Sequence, residues 1–103
     1  MENLDAIVRG FFLLAEEAAK SGGFRVSADG KTAILIAGEI SNQTRLPFNE
    51  VVKKLDEVGK KVTKSNDWLK WLREIQPKDV RTNARFKARD IARAACIVFM
   101  KGD

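Results

Sequence analysis

Phe24-Arg25-Val26-Ser27-Ala28-Asp29-Gly30-Lys31-Thr32-Ala33-Ile34-Leu35-Ile36-Ala37 is the stretch on which the fold class turns. Asp-Gly between two such runs is a strong local hairpin signal, because a type I′ turn requires positive φ at both central positions. Centred on Asp29-Gly30, the register pairs Val26 with Ala33 and Phe24 with Leu35, which puts four apolar side chains on one face. Arg25 and Ser27 then share the other face with Ile34 and Thr32, so the second strand is apolar on both sides. Two strands alone are marginal in water, so helices are expected over one face. An uncovered hairpin edge also invites a strand from a second subunit.

The flanking sequence supplies those helices. Upstream, Leu4, Ile7, Val8, Phe11, Leu14, Ala15 and Ala18 repeat with the period of an amphipathic helix. Asn3 is placed to cap its start, and Ser21-Gly22-Gly23 to end it. Phe12 and Leu13 widen the apolar face, which predicts cover on more than one side. Downstream, Ser41 to Arg45 reads as a polar connection, and Pro47 suits the first position of a helix. That helix carries Phe48, Val51, Val52, Leu55, Val58 and Val62, with Gly59 weakening or ending its last turn. Ser65-Asn66-Asp67 offers N-cap chemistry to a short helix bearing Trp68, Leu69, Trp71, Leu72 and Ile75. Gln76-Pro77 stops it, since the residue before proline is pushed out of the helical region. Val80, Ala84, Ala88, Ile91, Ala92, Ala95, Val98 and Phe99 mark one last helix with an alanine-rich stripe that a neighbouring helix can approach closely. The expected fold is α+β, a single compact domain over residues 1–103 in the order α-β-β-α-α-α.

Composition narrows the chemistry. The chain has 103 residues, 45% apolar and 32% charged, values ordinary for one globular domain. It has no histidine and one cysteine, which removes histidine-based acid/base catalysis, the common zinc sites and any intrachain disulfide. Cys96 lies near the buried stripe of the last helix with no histidine to activate it, and reads as a small core residue. Glu16/Glu17 and Asp56/Glu57 are adjacent pairs that point in different directions on a helix. Glu39 is a lone carboxylate, and the glycines match no phosphate-binding loop. A non-enzymatic protein without cofactor or metal is expected. No apolar run reaches the ~20 residues of a membrane span, and Glu2 and Asp5 stand where a signal peptide would be positive, so a cytoplasmic location is expected.

Charge gives the functional lead. Residues 1–50 carry five basic and seven acidic side chains, and residues 51–103 carry fourteen and seven. Such asymmetry points to a polyanionic or acidic partner, against the plainer reading of a solvated helical surface. Arg81, Arg85 and Arg89 recur every four residues with Lys78 nearby, a row able to track phosphates if the segment is one helix. Phe86 could stack on a base, while Lys53 and Lys54 add charge. The stretch from Glu39 to Gly59 also has the outline of a helix-turn-helix, with Pro47 opening a recognition helix and Lys53 or Lys54 facing DNA. Ile34 and Ile36 after the Asp-Gly turn, and Arg45 in place of the usual turn glycine, weigh against it.

Trp68 and Trp71, three residues apart, share a helix face and supply the rival lead, a protein interface. The primary expectation is a small regulatory protein binding nucleic acid through the basic C-terminal face. The alternative is a regulator or inhibitor, of the kind mobile elements encode, acting on an acidic protein target. The broad apolar surface and the bare hairpin predict a homodimer in either case.

Overall fold

The computed structural model describes residues 3–21, 24–25, 31–75 and 86–99. These residues form five helices: α1 (Leu4–Lys20), α2 (Thr32–Thr44), α3 (Phe48–Val62), α4 (Trp68–Ile75) and α5 (Ala88–Phe99). Among the described residues the extended pairing is confined to β1 (Phe24–Arg25) and β2 (Phe86–Lys87), two residues each, which run parallel with Phe24 opposite Phe86.

This corrects the α+β expectation to a helical fold. Thr32 to Ala37, read as the second strand of a hairpin, opens α2. Its buried positions, Thr32, Ile36, Ala37, Glu39 and Ile40, follow a helical repeat. A short apolar run with β-branched residues does not separate strand from buried helix by periodicity alone, and packing outweighs β propensity. The Asp29-Gly30 turn lies outside the described residues, and β1 pairs with β2 instead of with residues 32–37. The final helix is also shorter than expected. It starts at Ala88, and Phe86–Lys87 before it is extended.

α1 is the central element. Ile7, Val8, Phe11, Phe12 and Ala15 are buried, and α3, α4 and α5 all pack on it, which accounts for the width of its apolar face. Asn3 makes no side-chain cap; its carbonyl instead accepts the Ile7 amide at 2.8 Å. α5 packs on α1 and α2 through Ala88, Ile91, Ala92, Ala95 and Cys96, where small side chains allow close approach. Val98, expected on that stripe, is 51% exposed. α4 covers the remaining side of α1: the rings of Phe12 and Trp68 meet edge to face at 5.5 Å, and Phe12 and Trp71 at 5.8 Å. Asp67 caps α4, its Oδ1 accepting the Lys70 amide at 3.2 Å, as Ser65-Asn66-Asp67 predicts.

Gly59 does not end α3, which continues to Val62. It is buried, and its missing side chain is what lets α3 approach α4 and α1. Pro47 stands one residue before the helix, at φ −58° and ψ 139°. No described helix is long and apolar enough to cross a membrane.

Candidate nucleic-acid interface

α2 and α3 are packed together and joined by three residues, Arg45, Leu46 and Pro47. Arg45 takes φ 64° and ψ 17°, the left-handed conformation for which glycine is the usual choice. The turn is held by four hydrogen bonds. The Arg45 amide donates to the Ser41 carbonyl at 2.8 Å, and the Ser41 hydroxyl to the Leu46 carbonyl at 2.6 Å. Thr44 Oγ1 donates to the Ile40 carbonyl at 2.7 Å and accepts the Leu46 amide at 3.3 Å. Both objections to a helix-turn-helix are thereby removed, since residues 32–44 are helical and Arg45 adopts the glycine-like geometry itself.

Hydrophobic burial at Val51, Leu55 and Val58 turns the opposite face of α3 outward. Asn49, Lys53 and Lys60 lie together on that outer face and are exposed. Two of the acids beside them have partners. Asp56 Oδ1 accepts the Trp68 indole N–H at 2.8 Å, and Glu57 lies between Lys54 at 3.6 Å and Lys61 at 3.8 Å. Lys53 and Lys60 have no ion pair among the described residues. Lys64, just past the helix at φ 55°, is also exposed. Glu50 is exposed in the first turn of α3, where the helix dipole favours it.

The other expected residues are distributed differently. Lys54 is half-buried and reaches across to Asp5 of α1 at 3.7 Å, so it serves packing between helices. Lys78, Arg81 and Arg85 lie outside the described residues, and Phe86 belongs to β2. Because residues 86–87 are extended, Arg89 does not continue a helical row from Arg85. Arg89 is exposed on α5. Arg93, from the same basic segment, is tied to the buried Glu39 of α2 at 2.9 Å. That hydrogen bond, with a second from Gln43 at 2.8 Å, holds the Glu39 carboxyl below its ordinary range despite burial. Arg93 is correspondingly raised by the same contact.

Comparison with protein-family models, curated proteins and solved structures finds no match to this chain.

Trp68 is 4% exposed and belongs to the core, while Trp71 is half-buried and lines a groove of about 260 Å³ with Arg9, Phe12, Leu13, Glu16 and Val62. Cys96 is buried, and desolvation pushes its thiol up to about 11, so the thiolate is scarce at neutral pH. No group of three or more potential metal-ligating side chains occurs among the described residues. Lys60, Arg45, Asn49 and Lys64 are the site residues that sequence reasoning did not select. The spacing of Lys53 and Lys60, seven residues apart, was the available signal for the first.

Proposed function

We propose that this chain is a non-enzymatic regulatory protein that binds nucleic acid, with duplex DNA lying along the outer face of α3. The observation that carries the reading is the left-handed turn at Arg45, which joins α2 to a helix whose outward lysines, Lys53 and Lys60, are unpaired among the described residues. In a helix-turn-helix the second helix enters the major groove and its N-terminal residues meet base edges. Asn49 and Lys53 stand at that end of α3, and Lys60 and Lys64 stand further along, where phosphate contacts set orientation. The exposed Arg45 in the turn adds a cation at the entry to the helix. A cytoplasmic location belongs to the same proposal.

Fluorescence anisotropy with a labelled duplex, followed across salt, tests this. Binding should weaken linearly in log–log form as salt rises. Lys60→Ala with Lys64→Ala should weaken every duplex alike and flatten the salt slope by about two, one per lost phosphate contact. No binding at low salt, or an unchanged slope in the double variant, overturns the reading.

The alternative, capture of an acidic protein through the tryptophans, has less support. Trp68 is internal, and the groove beside Trp71 is rimmed by Arg9 and Glu16, one charge of each sign.

A further inference from the structure

The groove between α1, α3 and α4 has the features of a self-complementary surface. Its floor is apolar, formed by the buried Phe12 and the half-buried Trp71, and its walls include Leu13 and Val62. Leu13 is 60% exposed and Val62 41% exposed, which is unfavourable for two aliphatic side chains set side by side around a hollow. Arg9 and Glu16 complete the lining, both on α1 and seven residues apart, or about 10.5 Å along the helix axis. Phe12 and Leu13 occupy the midpoint between them, one on each side of the line joining the two charges.

That arrangement has a specific consequence under twofold symmetry. An axis through the Phe12–Leu13 midpoint sets two copies of α1 antiparallel and brings Arg9 of each copy opposite Glu16 of the other. The two ion pairs form simultaneously, and the contact is closed after two molecules because the same patch serves both. Arg9 already donates its Nε to Asp5 at 2.7 Å while its side chain stays exposed, and a guanidinium has four further N–H donors. Glu16 has no ion pair among the described residues. A basic or an acidic target would meet one repulsive charge on this rim; a second copy of the same rim meets none.

We propose that this groove seats α1 of a second copy of the chain, giving a twofold homodimer with Leu13 near its axis and Arg9–Glu16 pairs at either side. Val62 lies on the side of α3 away from Lys53 and Lys60, so the dimer leaves the lysine row of both copies open to solvent. The proposal does not depend on the nucleic-acid reading, and its test uses no nucleic acid.

Sedimentation of the full chain from micromolar to millimolar concentration reads the outcome. The natural sequence should dimerise. Leu13→Glu, and the milder Leu13→Ser, should be monomeric over the same range with unchanged circular dichroism, because Leu13 is largely exposed in the single chain. Arg9→Glu and Glu16→Arg should each weaken association at least tenfold by setting like charges opposite one another, and the two together should restore it. A natural chain that stays monomeric at millimolar concentration overturns the proposal. So does a dimer indifferent to Leu13, or a charge-swapped double variant that fails to recover.

Discussion

The Cα of Gly59 lies so close to the indole of Trp68 that a β-carbon at position 59 would stand 2.7 Å from the ring's Cγ. It would also meet Phe12 Cζ at 2.9 Å. The obstructing Trp68 atoms are Cβ and Cγ, the root of a large ring that is held by its hydrogen bond to Asp56, so they cannot swing aside. Gly59→Ala gains helix propensity yet should destabilise the fold by roughly 1–3 kcal/mol through overpacking. Thermal unfolding checks this, and a variant as stable as the parent would show that α3 and α4 can separate without loss.

The Gly59 contact also shows what the sequence can and cannot convey. A glycine in an amphipathic run reads locally as a weak point, since its value lies in a ring that arrives from the next helix. α1, α3 and α4 were legible because each repeats its apolar residues with helical period, and Asp67 announces the start of α4. α2 was not, because Ile34, Leu35 and Ile36 after Asp-Gly satisfy a strand as readily as a buried helix. Only contact with α3 and α5 decides between them. At the candidate site, Lys53 was chosen for its charge, but the engagement of Glu57 by Lys54 and Lys61 had to be seen in three dimensions. The Glu39–Arg93 pair joins residues 54 apart in sequence, and no local pattern marks it.

Glu39 makes the fold sensitive to acid. Its carboxyl is held below the ordinary value of 4.5, first by the hydrogen bond from Arg93. A carboxyl with a depressed folded-state pKa contributes stability that is fully present above its unfolded value and is lost as pH falls through the folded value. Stability should therefore decline below about pH 4.5, where the unfolded chain begins to take up the proton first. In Glu39→Gln this portion of the pH profile should be flatter, and the difference from the parent should narrow as pH falls. Melting temperatures collected between neutral pH and pH 3 test the sign, and parallel profiles would remove Glu39 from the account.

Cys96 should behave as an inert thiol. It is buried, and its thiol is raised to about 11 by desolvation first and by the Glu39 charge second. Labelling by a disulfide reagent at mild alkaline pH should be far slower than for a free thiol and should accelerate with denaturant in step with unfolding. Rapid labelling of the native protein would mean that α5 opens locally from α1 and α2.

Arg45 separates stability from binding. An L-residue in the left-handed region costs roughly 1–2 kcal/mol, and glycine removes that cost while adding freedom to the unfolded chain. Arg45→Gly should therefore raise stability by up to about 1 kcal/mol, because the hydrogen bonds of the turn come from Ser41, Thr44 and backbone groups and not from the Arg45 side chain. If the exposed guanidinium meets a phosphate, the same substitution should weaken duplex binding and reduce the salt slope by about one. The two effects have opposite signs, so a change in folding cannot imitate the change in affinity. A more stable variant that binds as tightly as the parent would place Arg45 away from the duplex and shift the contact surface toward Lys60 and Lys64.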